Sequence, residues 1–261
     1  MDRNDALSDI ASAGHAEVSS ETEIVVVTGG GSGVGAAIAL ALASEKVHLY
    51  LIGRRSEMLE GVAAKARSRG AETTCYSADL ANASSQNDLT RQLRSTLPFI
   101  DVLVQNAAMC VPGTIDHASL EDFDRHYQTN VRAPYALAKA LLPLLKARRG
   151  QVVFINSSSG IAAKPMYAQY DSTKHALRAI ADSLRAEVNA DGVRVLSVYL
   201  GQTATDLQAR LRQLQGNPYR PELLLQPEDV ASVIRHALDL PRTAEVTDIH
   251  IRPMIDPRSS Q

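Results

Sequence analysis

Residues 24–44 read IVVVTGGGSGVGAAIALALAS. The β-branched run at 24–27 is too short for a helix and predicts a strand that is buried on both faces. A glycine-rich turn follows at once, and the alanine-rich segment Ala36–Ser44 predicts a helix. Glycines in such a turn permit positive φ angles and let a pyrophosphate approach the backbone at the helix N-terminus. The stretch therefore predicts a dinucleotide-binding unit, with a merely flexible glycine turn as the alternative.

The composition narrows the class of protein further. The chain has 261 residues, which suits one α/β domain. The net charge of −2 gives no reason to expect nucleic acid or a membrane surface as a partner. Cys75 and Cys110 form no metal-binding or disulfide motif, which is typical of a reducing cytoplasm. Residues 1–22 are polar, lack the features of a signal peptide and predict a flexible arm.

The second predicted strand, residues 47–52, is followed by Gly53, Arg54 and Arg55. Sites that prefer NAD usually carry an acidic residue there to bind the ribose 2′-hydroxyl. Two guanidinium groups suit a 2′-phosphate instead, so the sequence favours NADP(H) over NAD(H). The alternative is a solvated basic start to the next helix, residues 56–69.

Strands and helices continue to alternate along the chain. Further strands are predicted at residues 73–77, 100–104, 151–155, 193–200 and 244–251, and helices at 84–96, 119–147, 168–190, 206–214 and 227–240. This alternation predicts an α/β fold with a doubly wound parallel sheet and helices on both faces. The segment 201–224 follows a strand, contains no strand of its own and is where a substrate loop would lie.

Tyr170 and Lys174 are four residues apart in a predicted helix and so share one face. A phenol has a pKa near 10, and a neighbouring ammonium favours its ionised form. Ser157 lies at the end of a predicted strand, where its hydroxyl would hold a substrate oxygen. Taken alone, Tyr170 and Lys174 are equally compatible with a surface pair.

Together these motifs resemble the classical short-chain dehydrogenase/reductase family over about residues 23–252. The glycine motif of that family is matched by Thr28, Gly29, Gly33 and Gly35, its acidic position by Asp79, its asparagine turn by Asn106 and Ala107, its catalytic residues by Asn130, Ser157, Tyr170 and Lys174, and its nicotinamide-binding turn by Gly201 and Thr205. Two positions differ from the pattern. Ala108 replaces a glycine and adds a methyl group near the cofactor, and Leu200 replaces a proline that would make the following turn rigid.

The resemblance implies a single-domain Rossmann fold over residues 23–261, with a mostly seven-stranded parallel sheet and a substrate loop at 201–224. It implies an oxidoreductase that moves a hydride reversibly between NADP(H) and a small carbonyl or alcohol, as a cytoplasmic homodimer or homotetramer. The implied cofactor contacts are Thr28, Gly29, Gly31, Ser32, Gly33, Val34, Gly35, Arg54, Arg55, Asp79, Leu80, Asn106, Ala107, Tyr170, Lys174, Gly201, Thr203 and Thr205, and no metal is implied.

Specific roles follow from the resemblance, each with a structural alternative. Tyr170 would be the general acid/base, Lys174 would lower its pKa, and Asn130 would hold a water in a proton relay unless it bonds only backbone. Asp79 would contact adenine unless it serves its own turn. His126 is expected to be a surface or packing residue, and Cys110 to line the substrate mouth or fill space.

The substrate side of the site is predicted by position only. The expected lining residues are Met109, Val111, Ser159, Met166 and Tyr167, together with the 201–224 segment. Two other functions on related folds compete with a reductase. One is a redox sensor that binds cofactor without turnover, which would need no proton donor. The other is an epimerase or dehydratase, which usually carries a larger C-terminal part.

Overall fold

The computed structural model describes residues 21–255, so the predicted arm at 1–22 lies almost wholly outside the described residues. The strands are β1 (Glu23–Thr28), β2 (Val47–Gly53), β3 (Glu72–Ser77), β4 (Val102–Gln105), β5 (Gln151–Ser157), β6 (Arg194–Leu200) and β7 (Asp248–Ile251). The α-helices are α1 (Gly33–Leu42), α2 (Ser56–Arg67), α3 (Ala83–Thr96), α4 (Leu120–Tyr127), α5 (Ala133–Ala147), α6 (Ala168–Val188), α7 (Asp206–Leu214) and α8 (Pro227–Leu238).

The strands form one parallel sheet in the order β3-β2-β1-β4-β5-β6-β7. The seven-stranded Rossmann architecture expected from the sequence is therefore confirmed. The order reverses between β1 and β4, because the chain builds outward from β1 in one direction and from β4 in the other. Ligands of open α/β sheets bind at such a switch point, outside the carboxyl ends of the strands.

Each face of the sheet is covered by helices. On β1, Val25 and Val27 pack with residues of α1, α2 and α8, whereas Ile24 and Val26 pack with residues of α3, α5 and α6. All four side chains are fully buried. This explains why the β1 sequence is a continuous apolar run instead of an alternating one.

Three of the predicted boundaries that differ from the structure are explained by specific hydrogen bonds. Helix α1 begins at Gly33 instead of Ala36, because the Ala36 N–H already donates to the Ser32 carbonyl at 3.3 Å. Strand β4 begins at Val102 instead of Ile100, because the Ile100 N–H donates to a helix carbonyl.

The third of these boundaries makes the last strand half as long as predicted. Strand β7 begins at Asp248, whereas the sequence predicts a start at Ala244. The Arg194 guanidinium donates hydrogen bonds to the carbonyl groups of Leu240 and Ala244, at 3.1 and 2.8 Å. The Thr247 carbonyl still accepts from the Ser197 N–H of β6 at 2.9 Å. The chain from Leu240 to Ala244 is instead bonded to the Arg194 side chain.

Residues 119–147 form two α-helices joined by a π-helical turn, Gln128–Arg132. Asn130 lies in that turn and is buried. Pro134 has no N–H to donate to the Asn130 carbonyl four residues earlier, so the regular α-helical ladder is interrupted there. Pro134 thus divides the predicted helix at 119–147 through a π-turn on its N-terminal side.

Candidate active site

Side-chain hydrogen bonds join the ends of β1 and β4. Thr28 Oγ1 donates to the Val104 carbonyl at 3.2 Å and accepts from the N–H of Asn106 at 2.9 Å. Asn106 Nδ2 in turn donates to the carbonyls of Thr28 and Gly29, at 3.0 and 3.2 Å. We call this set of contacts the Thr28–Asn106 seam. It fixes the two turns on either side of the switch point.

Three glycines of this turn could not carry a side chain without backbone strain or steric overlap. Gly29 has a φ of +65° and Gly33 a φ of +54°, the left-handed region that favours glycine. A Cβ on Gly35 would overlap the Gly29 carbonyl and lie 2.5 Å from Asn106 Nδ2. Ser32, the N-cap of α1, makes no side-chain capping bond. The first N–H groups of α1 are therefore available to a phosphate, so this turn fits a pyrophosphate.

A cavity of about 340 Å³ opens beside this turn. It brings together twelve of the predicted site residues: Gly29, Ser32, Gly33, Val34, Asn106, Ala107, Ser157, Tyr170, Lys174, Gly201, Thr203 and Thr205. Ala108 and Leu200, the two residues that differ from the family pattern, also line this cavity.

The remaining predicted residues lie away from the cavity wall. Thr28, Gly31 and Gly35 serve the turn itself. Arg54 and Arg55 are exposed after β2, and Arg55 Nη2 lies 3.5 Å from Ser32 Oγ. Asp79 is exposed and accepts from the Ala81 N–H at 3.0 Å, and Leu80 beside it is buried. Asp79 thus makes the hydrogen bond within its own turn that the sequence analysis gave as the alternative to an adenine contact.

Ser157 ends β5, and a 3₁₀ turn, Ser158–Gly160, leads the chain away from it. Asn156 ties this turn to α6, because its Nδ2 donates to the Lys174 carbonyl at 3.2 Å. A Cβ on Gly160 would lie 2.6 Å from Asn156 Oδ1, so a glycine is needed for this close approach. Asn156 also lines the cavity. Sequence reasoning did not identify Asn156 as a residue of the site.

Tyr170 is the third residue of α6 and lies with Ser157 in the cavity wall. Burial raises the pKa of Tyr170, and the Ser157 side chain opposes this only in part. The sequence predicts that the Lys174 ammonium favours the phenolate, but burial is the largest influence on this pKa and Lys174 is not among its causes. Tyr170 is therefore a phenol at neutral pH, which is the form that donates a proton.

Lys174 lies one turn after Tyr170 and is buried. Its Nζ donates to the Ile155 carbonyl at 3.0 Å and lies 5.7 Å from the centre of the Tyr170 ring. Burial lowers the pKa of Lys174 to about 8, because desolvation disfavours the ammonium. The ammonium therefore loses its proton within the range in which enzymes are usually assayed.

The amide of Asn130 is fully engaged. Its Oδ1 accepts from the Met109 N–H and its Nδ2 donates to the Met109 carbonyl, both at 2.9 Å. Nδ2 also donates to Thr173 Oγ1 at 3.1 Å. The side chain thus fixes the chain after β4 against α6. Two of its three hydrogen bonds are to backbone, so the arrangement resembles the alternative in which Asn130 bonds only backbone. A water in the predicted relay would have to bind its main-chain carbonyl instead.

His126 is a packing residue and not a surface residue, the two possibilities that the sequence left open. It is fully buried; its Nδ1 lies 2.6 Å from the Asp122 carbonyl, and its Nε2 accepts from the Val111 N–H at 3.0 Å. Its ring meets the Tyr170 ring edge-on at 6.4 Å. Because both ring nitrogens contact backbone, His126 is not placed to act as a base on Tyr170.

The substrate side of the cavity agrees with the sequence only in part. Ser159 and Tyr167 line it, whereas Met109, Val111 and Met166 do not. Cys110 also lines it, and burial raises the pKa of its thiol to about 12. The wall is therefore neutral at this point.

The 201–224 segment covers the cavity through α7, whose boundaries match the predicted 206–214. The start of the segment is fixed by the Gly201 N–H, which donates to the Ile251 carbonyl at 2.8 Å. Its end is fixed by Leu225, whose N–H donates to the Gln202 carbonyl and whose carbonyl accepts from the Ala204 N–H. Gln215 Nε2 donates to Tyr167 Oη at 2.6 Å across the cavity mouth. Sequence reasoning missed this polar contact, because nothing in the local pattern pairs residues 167 and 215.

Residues 21–255 contain neither a metal cluster nor a membrane-spanning helix. No group of three or more histidine, cysteine, aspartate or glutamate side chains is arranged to hold a metal ion in that part of the chain. None of the helices described there is long and apolar enough to cross a bilayer.

The sequence model of the short chain dehydrogenase family matches residues 23–216, from β1 to the end of α7. The chain belongs to this family.

One curated relative is the NADPH-dependent 3-dehydrocapnine reductase of Ornithobacterium rhinotracheale, 36% identical over 126 residues, which are 46% of this chain and 44% of the reductase. Another is dehydrogenase/reductase SDR family member 7B of Bos taurus, 33% identical over 178 residues, 66% of this chain and 55% of that protein. The chain thus spans about half the length of these curated relatives.

Solved structures resemble the chain over more of its length. An alcohol dehydrogenase from the archaeon Thermococcus sibiricus, complexed with 5-hydroxy-NADP, is 27% identical and superposes with a TM-score of 0.81. The match covers 90% of this chain and 98% of that one. The short-chain dehydrogenase therefore shares its whole described fold with an enzyme that binds an NADP derivative.

Proposed function

We propose that this short-chain dehydrogenase is a cytoplasmic NADP(H)-dependent oxidoreductase that interconverts a small carbonyl compound and its alcohol. The observation that carries the proposal is the meeting of Ser157, Tyr170 and Lys174 in one cavity beside the glycine turn. A redox sensor would need the turn but not this proton-donating group. The NADPH-dependent relative and the NADP-bound structural neighbour support the choice of cofactor.

The chain offers groups that suit each part of the dinucleotide. The N–H groups at the start of α1 would hold the pyrophosphate, and Arg54 and Arg55 with Ser32 would hold the 2′-phosphate. Lys174 would bond the nicotinamide ribose, with Asn106, Gly201, Thr203 and Thr205 around the nicotinamide. When bound, the cofactor supplies or accepts the hydride.

The protein supplies the proton. In the reducing direction Tyr170 donates its phenolic proton to the carbonyl oxygen, and Ser157 donates a hydrogen bond to the same oxygen, where negative charge develops. The raised pKa of Tyr170 keeps the phenol protonated at neutral pH, which is the form that this step needs. Lys174 would return a proton to Tyr170, and Asn130 would keep the chain around Lys174 in place.

The test has two stages. NADPH and NADH are first titrated separately into the wild type and the Arg55→Ala variant, following cofactor fluorescence. We expect tighter binding of NADPH, and an about tenfold loss of NADPH affinity in the variant with little change for NADH. An exposed arginine on α3, in the Arg91→Ala variant, is the matched control.

In the second stage four carbonyl compounds are offered with NADPH: cyclohexanone, ethyl acetoacetate, diacetyl and fructose. They represent an apolar ketone, a keto-ester, a diketone and a sugar-like ketone, all compatible with the mixed polar and apolar cavity wall. Net oxidation of NADPH with any of them supports the proposal. Tight NADPH binding without turnover of any carbonyl would favour the sensor instead.

A further inference from the structure

Asp171 follows Tyr170 directly and is 1% exposed. Its Oδ2 accepts from the Lys164 N–H at 2.6 Å, and its Oδ1 is buried without a hydrogen-bond partner among the described residues. A buried carboxylate that is only half satisfied is costly for a fold. The reaction as described above makes no use of it, so its place beside Tyr170 needs a reason.

The segment that Asp171 holds forms one wall of the cavity. Residues 161–167 connect the 3₁₀ turn after Ser157 to α6, and Lys164 and Tyr167 from this segment line the cavity. Met166 has a φ of +69°, a conformation that is strained for a residue with a side chain. Such strain persists only where neighbouring contacts enforce it.

Among the hydrogen bonds that reach this segment from outside, two hold the backbone at Met166 and just before it. The Met166 carbonyl accepts from the Gly113 N–H at 2.8 Å, and the Lys164 N–H donates to Asp171. The bond to Asp171 is the one made by a charged side chain, and bonds of that kind are the stronger. The carboxylate therefore holds the part of the wall that leads into Tyr167.

The same carboxylate acts electrostatically on the groups around it. Its charge contributes to raising the pKa of Tyr170, Tyr167 and Cys110, although burial is the larger cause for each. The other groups that act on or face Tyr170 are the Cys110 thiol, the Tyr167 phenol, the Ser157 hydroxyl, the Lys174 ammonium and the edge of the His126 ring. On its own helix, the main-chain carbonyl of Asp171 contacts His175 Nδ1 at 2.9 Å.

We propose that Asp171 is a positioning residue for the reaction: its buried carboxylate fixes residues 161–167 as a wall of the substrate cavity beside Tyr170. The inference rests on the proposed function, since it assigns Asp171 a role in that same site. It separates two contributions, a hydrogen bond and a charge, which two substitutions distinguish.

The Asp171→Asn variant keeps an oxygen that can accept from the Lys164 N–H but removes the charge. The Asp171→Ala variant removes both. Asp182→Asn is the matched control, because Asp182 lies exposed on the same helix. All three are made in the full chain.

The first readout, amide hydrogen exchange at Lys164, needs no turnover. We expect exchange at least about tenfold faster in Asp171→Ala, since one hydrogen bond to a charged group is lost, and near-wild-type exchange in Asp171→Asn. Wild-type exchange in the alanine variant would overturn the role in the cavity wall. If the wild type reduces none of the four carbonyl compounds, the proposed function fails, but this readout still decides the role of Asp171 in the wall.

The second readout is the pH dependence of turnover, measured with the most active of the four carbonyl compounds and with its alcohol. Removing a negative charge beside a phenol lowers the pKa of that phenol. In Asp171→Asn we therefore expect the onset of alcohol oxidation and the alkaline loss of carbonyl reduction to move about one unit to lower pH, at nearly unchanged KM. In Asp171→Ala we expect the same shift and an about tenfold higher KM. An asparagine variant with the wild-type pH profile would overturn the electrostatic role.

Discussion

Tyr170 owes its protonated state to its surroundings more than to its neighbours in sequence. Burial raises its pKa, and the Ser157 side chain is the cause that opposes this. Replacing Tyr170 by phenylalanine removes the phenolic hydroxyl, which is the proposed proton donor, but leaves the ring, which packs against the edge of His126. The consequences for catalysis and for cofactor binding should therefore be separable.

In the Tyr170→Phe variant we expect carbonyl reduction to fall by about a thousandfold, the range for loss of a positioned general acid. The measurement is steady-state turnover with saturating NADPH, alongside a fluorescence titration of cofactor affinity. Affinity should remain close to wild type. Near-wild-type turnover would show that another group donates the proton.

Lys174 gives the short-chain dehydrogenase a pH-dependent stability with a definite sign. Its pKa is about 8 in the folded chain, against 10.5 for a lysine exposed to water, as in the unfolded chain. Between these values the unfolded chain binds more protons, so the free energy of unfolding rises with pH over this window and is flat on either side.

Replacing Lys174 by Met removes this contribution. Between pH 8 and 10.5 we expect the wild type to gain on the order of 3 kcal/mol of stability relative to Lys174→Met. Denaturant unfolding of both proteins without added nucleotide measures this difference and cancels the other titrating groups. A constant difference across the window would mean that the lysine is not desolvated.

At this scale the sequence predicted which residues line the cavity better than it predicted their environment. The spacing of Tyr170 and Lys174 follows from helix geometry, which is local. The full engagement of the Asn130 amide with Met109 and Thr173, and the buried state of Asp171, depend on contacts between distant segments. No local pattern encodes such contacts, so the sequence could predict residues but not protonation states.

Among the elements, the turn between β1 and α1 is the least tolerant of added atoms. A Cβ on Gly35 would overlap the Gly29 carbonyl, and neither backbone segment can move without breaking the Thr28–Asn106 seam. Gly61, in the middle of α2, has no atom within 4 Å of the same hypothetical Cβ.

We therefore expect opposite effects of the same substitution at these positions. Gly35→Ala should destabilise the fold by about 1–3 kcal/mol and weaken NADPH binding. Gly61→Ala should stabilise it by about 0.5–1 kcal/mol, because alanine is the better helix former. Thermal unfolding with and without NADPH measures both, and a neutral Gly35→Ala would contradict the packing described for the turn.

The elements that the sequence predicted well are those whose signals are local. Helix α7 and most of the strands follow from apolar periodicity and flanking turn residues. The π-turn at Gln128–Arg132 and the late start of β7 do not, since one depends on a proline two residues beyond the turn and the other on Arg194 from another strand.

For the whole molecule, assembly stays a prediction. Tyr135 on α5 is 54% exposed, and the family resemblance implies pairing through long helices such as α5 and α6. We expect a homodimer or homotetramer by light scattering, and a shift toward monomer in Tyr135→Glu. A wild-type monomer at micromolar concentration would contradict this prediction.

The Thr28–Asn106 seam also has a consequence for how the molecule resists heat. Only three residue pairs join β1 to β4, so the two halves of the sheet meet across a short ladder. A dinucleotide bound over this ladder would clamp the halves together and shift the unfolding equilibrium by mass action, by about 4 kcal/mol at a thousandfold excess over its dissociation constant. The melting temperature is then a binding assay in itself, and ranking nucleotides by the rise they cause would identify the physiological cofactor before any substrate is known.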